Sequence, residues 1–598
     1  MEAVRITRYT KSGELVSKRF RAFFIPALLS AMATQMGVWV DTILMAQLID
    51  GVAMTSATAC QPLSQLAGAL TVLISTGAVG QIAVAAGNGR RDEANRIFSV
   101  VFDTAILFGL LLTAVLLPTS AGVSRLLTPV PDLWDGVHQY LRVLLWRFPF
   151  CALLMLLADL VCADGMEKLA TVAILIQQVT NVILDFVFIR LFHLGIGGAA
   201  LATVISDVAG LAFMLLRYFR SPHRTFRLLH VLPSGFRKLL SDMWKIARAG
   251  VGTASGYALV AGKMWFLIWI TGNVGGADGA QILAACLQYL TLLSMFSGGI
   301  NMAVLPLVGV LYGEKDYAAI RMLMRRVICL LLAIIGFAVL FAMIFPQAIF
   351  AVAGVPQELG LRALNDVRLY SVSLIGTGLT FLMIYYYTTV ARTTAASVLS
   401  FTEGLLAVVP AVWLLSLLFG LTGIWLGLSA AEIIALFTVW IYTRHVCRKS
   451  GGTLTDFFLI EKSGSELLYD ASLRATREDA AGISAEVVSI LREKGIDELP
   501  ATKTGIVLEE TAVHLAEVNP KKVNMDVRVL EGGDELLLVL RDNGMPFNPM
   551  EYTPEETEDP RGDGIMVIRR LAGRIEYSLV LALNQTTIAF PLPKGDRV

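Results

Sequence analysis

Four residues with oxygen-bearing side chains lie within otherwise apolar stretches of the chain. Asp41 is in the first stretch, Asn181 and Asp185 are in a later one, and Thr203 follows in the next. Residues four apart share a helical face. Two carboxylates, an amide and a hydroxyl can supply hard oxygen ligands to Na⁺, or the two acids can share a proton. A carboxylate in a bilayer costs at least a few kcal/mol, so these residues predict a cation site; a hydrogen-bonded polar plug between helices is the alternative.

A lysine also lies well inside an apolar stretch. Lys263 is too deep for its ammonium group to reach water easily. Two interpretations stay open: an internal ion pair with an acidic side chain, or a built-in cation that weakens Na⁺ binding nearby. Further acidic residues in apolar stretches are Asp103, Asp159, Asp207, Glu403 and Glu432.

Two short motifs near the C-terminus suit nucleotide binding. Asp542 and Gly544 follow a predicted strand, and an Asp in that place can accept a hydrogen bond from an adenine amino group. Gly562 and Gly564 then open a predicted helix, where backbone N–H groups and the helix dipole can meet phosphates. The intervening loop has the length of a lid. In this order the motifs predict a nucleotide site.

The composition indicates that most of the chain lies in a membrane. Of its 598 residues, 56% are hydrophobic and only 16% are charged, against roughly one-quarter charged in soluble proteins. A net charge of +1 gives no electrostatic case for nucleic acid as a partner. The six cysteines are scattered, without the spacing of a metal site or a disulfide framework.

Hydrophobic segments of spanning length, roughly 20 residues, recur through the first three-quarters of the chain. Charges become frequent after about residue 465, so we predict a linker at 446–464 and a soluble domain at 465–598. The predicted spans are 23–48, 58–86, 96–118, 138–162, 169–191, 197–217, 246–271, 279–311, 324–346, 368–391, 396–418 and 422–443.

Loop charges predict the orientation. Basic residues concentrate in alternate connections, around Arg90, Arg224 and Arg321, and the connections between these are poor in them. Basic loops stay cytoplasmic. We therefore expect a multi-pass protein of the cell membrane with both termini in the cytoplasm.

The membrane part repeats itself. The stretch that begins Gly195-Ile196-Gly197-Gly198, in a helix that runs to Asp207, recurs as Gly420-Leu421-Thr422-Gly423, in a helix that runs to Glu432. The loops beginning at Gly89 and Gly313 match at nearly the same offset, about 225 residues. The repeat predicts an all-α part of about twelve helices in two six-helix bundles, 1–222 and 223–445, with a substrate path between them.

These residues resemble the multidrug and toxic compound extrusion (MATE) transporters. The resemblance covers about the first 445 residues and rests on Val40-Asp41-Thr42, the Gly-Arg-Arg-Asp-Glu-Ala loop and Asn181-Val182-Ile183-Leu184-Asp185. It implies a secondary antiporter that exports organic, often cationic, compounds against inward Na⁺ or H⁺. It also implies a cation site at Asp41, Asn181, Asp185 and Thr203. Lys263 departs from the family, some members of which have a carboxylate in that helix.

The soluble domain is predicted to be an α+β sandwich. Strand 467–473, helices 480–494 and 503–518, hairpin 523–541, helix 564–572 and hairpin 574–592 succeed one another. With its Asp-x-Gly-x-Pro-Phe motif it resembles GHKL ATPases, within them the anti-sigma-factor serine kinases. The resemblance makes Glu510 the catalytic base, but His514 replaces the Asn that holds Mg²⁺, and histidine is a poor ligand for that ion. Kinase activity is therefore in question, while ATP binding is expected.

The sequence leaves the link between the two parts open. The domain could gate transport or relay its state to an anti-anti-sigma (STAS-like) protein, or it could be a degenerate docking platform. One alternative for the membrane part is a lipid-linked oligosaccharide flippase of the same superfamily. A second is a membrane sensor with a serine-kinase output. An ATP-driven pump is disfavoured, because the chain has no Gly-x-x-x-x-Gly-Lys-Ser/Thr loop.

Overall fold

The computed structural model describes most of the chain, and two compact units emerge. One unit comprises Met1–Pro26, Met302–Ile328 and Thr443–Val598, and the other Ala27–Asn301 and Cys329–Tyr442. The C-terminal segment of the chain shares its unit with Met302–Ile328. The described residues are 14–87, 90–164, 166–221, 226, 236–313, 316–461, 466–519, 523–551, 560–580 and 583–592.

Some sequence features fall outside these ranges. They are Gly89, Glu314 and Lys315 of the repeated loops, the basic residues Arg224 and Arg227, and positions 552–559 of the expected lid.

Long apolar helices make up the first three-quarters of the chain. Within the described residues, nine helical segments are long and apolar enough to cross a membrane. Two of these, Met243–Gly313 and Thr393–Lys449, are long enough to cross twice, and a 35-residue helix, Glu14–Leu48, precedes all nine. The expected all-α membrane part of about twelve helices is confirmed. Its helices are α1 (Glu14–Leu48), α2 (Gly51–Ala59), α3 (Gln61–Gly87), α4 (Arg91–Leu116), α5 (Ser120–Leu127), α6 (Trp134–Leu144), α7 (Phe148–Ala163), α8 (Glu167–Asp185), α9 (Gly195–Arg220), α10 (Phe236–Gly313), α11 (Tyr317–Ile344), α12 (Pro346–Val352), α13 (Gln357–Arg362), α14 (Leu364–Thr389), α15 (Thr393–Phe401) and α16 (Val408–Lys449).

Glycines in a left-handed conformation mark the repeat in the backbone. Gly276 breaks α10 with a φ of 58°, and Gly420 breaks α16 with a φ of 59°. Gly195, which begins α9, also has a φ of 59°. Only glycine adopts this conformation without strain. Gly195 and Gly420 are the first residues of the two matching sequence stretches, so the repeat extends to backbone geometry.

Two π-helical segments interrupt the membrane helices. One, Phe186–Leu191, follows α8, and the other, Thr402–Leu406, follows α15. Asp185 directly precedes the first, and Glu403 lies inside the second. Such bulges are frequent at functional sites because they redirect side chains out of the regular helical pattern.

The C-terminal domain is an antiparallel sheet with helices on one face. The sheet has the order β3 (Glu466–Arg474), β4 (Asn524–Gly532), β5 (Glu535–Asp542), β7 (Leu583–Pro591) and β6 (Arg574–Val580), and a separate hairpin of β1 (Leu454–Thr455) and β2 (Ile460–Glu461) precedes it within the predicted linker. Apolar residues of the sheet, among them Val527, Leu538 and Ile588, form one core with helical residues such as Val487 and Leu508. The expected α+β domain is thus confirmed. Its elements are β1 (Leu454–Thr455), β2 (Ile460–Glu461), β3 (Glu466–Arg474), α17 (Arg477–Glu493), α18 (Glu498–Val518), β4 (Asn524–Gly532), β5 (Glu535–Asp542), α19 (Pro560–Leu571), β6 (Arg574–Val580) and β7 (Leu583–Pro591).

Candidate functional sites

The four oxygen-bearing residues singled out in the sequence come together in the first half of the membrane part. The Asn181 amide donates to the Thr203 hydroxyl at 3.5 Å, which ties α8 to α9. One helical turn further along α8, the carboxyl group of Asp185 lies against that of Asp41 from α1. Asp185 is fully buried, and Asn181 and Thr203 are nearly so. The arrangement therefore concentrates oxygen atoms around a pair of acids.

The acid pair is short of hydrogen-bond donors, although the charge of Arg147 acts on Asp41. Among the residues that the structure describes, none donates a hydrogen bond to either carboxylate oxygen of Asp185 or to Oδ1 of Asp41. Two ionised carboxylates in direct contact repel each other strongly when water is excluded. The pair is stable only with a shared proton or a bound cation. This makes it a candidate cation site.

A second acid in the same half, Asp207, is neutralised by an arginine of the chain. Nε of Arg147 lies 2.7 Å from Oδ2 of Asp207, and the amide of Gln177 donates to Oδ1 of Asp207 at 3.1 Å. The sequence analysis named Asp207 but missed Arg147. An arginine in an apolar run is a sufficient signal, because a charge at membrane depth requires a partner. This ion pair gives Asp207 a structural role that Asp185 does not have.

The second half of the membrane part contains a lysine-centred cluster. The ammonium group of Lys263 on α10 hydrogen-bonds to Glu403 and lies 3.8 Å from Oε1 of Glu432. Glu432 also accepts hydrogen bonds from Thr377 at 2.8 Å and from Thr380 at 3.0 Å. Of the two interpretations left open for Lys263, the structure has the internal ion pair. Glu432 is the repeat counterpart of Asp207, and each acid is paired with a cation.

Removal of the lysine charge is expected to destabilise the protein. A Lys263→Met variant leaves two buried carboxylates facing each other, and breaking a buried ion pair from one side costs about 3 kcal/mol. The melting temperature of the detergent-solubilised protein should fall. Adding Glu403→Gln to Lys263→Met should restore part of the loss, because it removes one of the stranded charges. A double variant less stable than Lys263→Met would contradict this interpretation.

In the C-terminal domain, Asp542 ends strand β5 in a pocket of polar groups. Its Oδ1 accepts hydrogen bonds from the Asn584 amide and from the backbone N–H of Gly544, both at 2.8 Å. Burial raises the pKa of the Asp542 carboxyl above its ordinary value, and the hydrogen bonds from Asn584 and Gly544 oppose that rise. Both donors engage one oxygen, so Oδ2 is the oxygen that could accept an adenine amino group.

The chain after Asp542 is held in place by a side chain that the sequence analysis did not single out. Oδ1 of Asn519, at the end of α18, accepts the N–H of Met545 at 2.6 Å. A Cβ added to Gly544 would lie 2.9 Å from Asp542 Oδ1 and from Asn519 Nδ2, so only glycine fits between these groups. The predicted glycine is therefore required by the packing around Asp542.

The remaining residues predicted to bind nucleotide belong to α18 and α19. Gly562 and Gly564 lie in the first turns of α19, which begins at Pro560 and not at Gly564 as expected. A Cβ on Gly564 would be 2.6 Å from Oε2 of Glu510, so the glycine lets α19 approach that carboxylate. One turn along α18, the buried ring of His514 packs against Phe547 with 4.4 Å between centroids. The structure thus places Glu510 at the glycine helix and His514 behind the Asp542 loop.

Comparison with known families accounts for both parts. The model of the MatE family matches residues 26–187, which contain Asp41, Asn181 and Asp185. The model of the histidine kinase-like ATPase domain matches residues 473–590, which contain the whole candidate nucleotide site. The chain contains a MatE domain and a C-terminal histidine kinase-like ATPase domain.

Curated relatives match the MatE part. The multidrug export protein MepA of Staphylococcus haemolyticus is 23% identical over 364 residues, which cover 58% of this chain and 75% of that protein. MepA of Staphylococcus aureus is 25% identical over 365 residues, covering 59% and 77% respectively.

Solved structures show the same fold for the MatE part. An inward-facing multidrug resistance MATE family transporter of the MOP superfamily superposes with a TM-score of 0.63 at 19% identity, covering 71% of this chain and 99% of that one. A MOP superfamily transporter from Pyrococcus furiosus, described as having a binding pocket of reversed polarity that suggests a different function, superposes with a TM-score of 0.56 at 19% identity. That match covers 74% of this chain and 99% of that one.

Proposed function

We propose that the protein is a cation-coupled antiporter that exports organic cations by alternating access, with a cytoplasmic nucleotide-binding domain that regulates it. The observation that supports this most directly is the pair of Asp41, which is partly buried, and Asp185, which is fully buried; the pair requires a proton or a metal cation to relieve its repulsion. Asn181 and Thr203 add neutral oxygen ligands beside it. The proteins named MepA are multidrug exporters by name, which favours export of organic compounds over a sensor without transport.

Coupling follows from the charge of this pair. With a proton or Na⁺ bound, the two acids no longer repel each other and the helices α1 and α8 can close around them. Without it, repulsion favours a different packing of the same helices. A ligand shifts a conformational equilibrium only by its differential affinity for the two states. A cation that binds one packing better than the other therefore drives alternating access in a two-bundle transporter.

The polarity of the site supports a cationic substrate. A pair of carboxylates attracts positive charge, and after the coupling cation leaves, the pair is again negatively charged. Coupling cation and organic cation then compete for the same negative charge, which is the requirement for exchange. A lipid-linked oligosaccharide, the cargo of the alternative flippase function, carries a negative diphosphate and is disfavoured by it.

Loop charges support an orientation with both termini in the cytoplasm. Basic side chains cluster at alternate connections, including the one that begins at Arg90 and the start of α11 with Arg321 and Arg325. In this orientation the ATPase-like domain meets cellular ATP at the cytoplasmic face of the cell membrane.

The ATPase-like domain is proposed to bind ATP without efficient Mg²⁺-dependent chemistry. Asp542 offers the adenine acceptor and the start of α19 offers the phosphate site. His514 stands where the resemblance calls for the Mg²⁺ ligand, and an imidazole prefers softer metals than Mg²⁺. An anti-anti-sigma (STAS-like) protein is the partner class that the resemblance implies for any phosphate transfer.

Replacing His514 by Asn is expected to raise Mg²⁺-dependent ATP hydrolysis or phosphate transfer above that of the wild type. The Asn supplies the oxygen ligand that the imidazole does not. The measurement is release of radiolabelled phosphate by the purified full chain with and without Mg²⁺. The double variant His514→Asn/Glu510→Gln is the control, because it should lose the gained activity with the base. Equal rates in wild type and His514→Asn would contradict the assigned role of this position.

Transport itself is tested in vesicles reconstituted with the full chain. Ethidium, a fluorescent organic cation, is loaded, and either a Na⁺ gradient or a pH gradient is imposed. Ion-driven ethidium movement in one gradient and its collapse with the matching ionophore supports the antiporter and identifies the ion. Absence of movement in both gradients, from folded protein, would favour the flippase or the sensor.

A further inference from the structure

Part of the outer face of the C-terminal sheet carries charged residues that are almost completely buried. Along β4, Val527 and Val529 point into the helix-covered core, so the alternate residues Asp526 and Arg528 point to the opposite face. Asp526 is 2% exposed and Arg528 9%. Arg541, on the same face of β5, is 4% exposed. A polar sheet face is normally solvated, so a face with these values is covered by another part of the chain.

The cover is the start of the membrane helix α11, together with Asp316 directly before it. Asp316, which precedes α11, accepts hydrogen bonds from both terminal nitrogens of Arg528, one on each carboxylate oxygen. Its Oδ2 also lies 3.2 Å from Nη1 of Arg541. Asp316 is itself buried. A bidentate arginine–carboxylate pair is among the stronger and more directional polar contacts in proteins.

The charges of this contact are balanced across the interface. Burial by itself would raise the pKa of Asp316, but the guanidinium groups of Arg528 and Arg541 lower it below its usual value. On the sheet side, Ser472 donates to Asp526 at 2.6 Å, next to Arg528. Asp316 is therefore ionised at neutral pH, and its loss would leave two buried arginines with less negative charge around them.

A second set of contacts surrounds the first. Arg321, one turn into α11, lies 2.8 Å from Asp456 in the β1–β2 hairpin and donates to Thr455 at 2.9 Å. The hydroxyl of Tyr317 donates to Glu461 at 3.2 Å. The start of α11 is thus attached to the hairpin as well as to the sheet.

The docking contact and the candidate nucleotide site share one strand. Arg541 and Asp542 are consecutive in β5, so their side chains point to opposite faces of the sheet. Their partners on β7 follow the same rule: Arg541 pairs with Gln585 and Asp542 with Asn584. Nη2 of Arg541 donates to Gln585 at 2.6 Å, and Nδ2 of Asn584 donates to Asp542 at 2.8 Å. The contact with Asp316 and the candidate nucleotide site therefore use neighbouring residues of the same two paired strands.

We propose that the outer sheet face is a docking surface for the start of α11, held by Asp316, and that nucleotide bound at Asp542 and docking at Arg541 strengthen each other. The inference deepens the proposed regulatory function and depends on its nucleotide site, but not on transport. Docking holds β5 and β7 in the geometry that presents Asp542, so nucleotide binds the docked form better. By reciprocity, bound nucleotide stabilises the docked form by the same factor.

The test is nucleotide affinity of the full chain after a change in the membrane part. Asp316→Asn removes the charge, and because Asn caps helices as well as Asp does, the N–H of Ala319 retains its acceptor. Binding of a fluorescent ATP analogue is measured for wild type, Asp316→Asn, Arg528→Gln and the double variant. Arg492→Gln is the control, since it breaks an exposed ion pair with Glu498 within the domain.

We expect Asp316→Asn to weaken analogue binding about fivefold or more, at the lower end of typical coupling between sites. Arg492→Gln should bind like the wild type, and the double variant should be no weaker than the weaker single variant, because both remove one contact. Wild-type affinity in Asp316→Asn would overturn the inference and leave the nucleotide site intact. Absence of binding to the wild type would overturn both the inference and the proposed nucleotide site.

Discussion

Replacing Asp185 by Asn is expected to reduce gradient-driven ethidium efflux to the level of protein-free vesicles. Asn has the same shape but cannot ionise, so the pair with Asp41 loses the charge that binds the coupling cation. The equilibrium between packings then no longer responds to the ion gradient. The measurement is efflux from vesicles containing equal amounts of folded wild type or variant, under the gradient that drives the wild type.

Matched variants separate this effect from a general loss of intramembrane charge. Asp41→Asn should behave like Asp185→Asn, and the double variant should be no worse, since the two acids form one site. Asp103→Asn is the control, because Asp103 is an exposed acid on α4. This variant is expected to transport ethidium like the wild type. Efflux that keeps its ion dependence in both single variants would contradict the assignment of this pair.

Replacing Asp542 by Asn is expected to weaken binding of the ATP analogue to the full chain by about tenfold or more. A hydrogen bond to a charged group contributes about 1.5–3 kcal/mol, and about 1.4 kcal/mol is a factor of ten in Kd. The Asn can retain its oxygen toward Asn584 and Gly544. Its NH₂ group then replaces the oxygen that faces the adenine amino group, and two donors meet.

The control for this variant is in the turn of the same β4–β5 hairpin. Asp534, in the exposed β4–β5 turn, can be changed to Asn with the same change of charge and no contact with the site. Asp534→Asn should bind the analogue like the wild type. An equal loss of affinity in the two variants would mean that net charge determines binding of the analogue. Wild-type affinity in Asp542→Asn would show that this residue does not recognise adenine.

Local patterns predicted most of the fold. The strand expected at 467–473 is β3 at Glu466–Arg474, and the helix expected at 503–518 is α18, which begins five residues earlier at Glu498. The length of the apolar segments was enough to predict the membrane helices, because each helix must cross the hydrocarbon core of the bilayer. The helix starts were missed by a few residues for different reasons. The first residues of α17, Arg477-Glu478-Asp479, are polar and hydrophobic periodicity does not detect them, whereas Pro500 lies in the first turn of α18 and interrupts the helical pattern.

Contacts between residues that are distant in sequence could not be predicted from the sequence. Lys263 predicted an acidic partner, but several acids in apolar stretches were available, and the hydrogen bond to Glu403 in the π-helical segment became visible only in the structure. Asp316 gave no signal at all, because an acid at the start of a helix is ordinary. Its partner Arg528 is 212 residues away. Asn519 and Asn584 were missed because asparagine at the end of a helix or in a strand fits many roles.

Ion release on substrate binding tests the central claim most directly. Ethidium is added to the solubilised full chain in weakly buffered solution, and the proton signal of a pH dye and the Na⁺ signal of an electrode are recorded. We predict release of one of these ions from the wild type and from Asp103→Asn, and none from Asp185→Asn. Equal release from wild type and Asp185→Asn, or ethidium binding without release of either ion, would contradict exchange at the pair of Asp41 and Asp185.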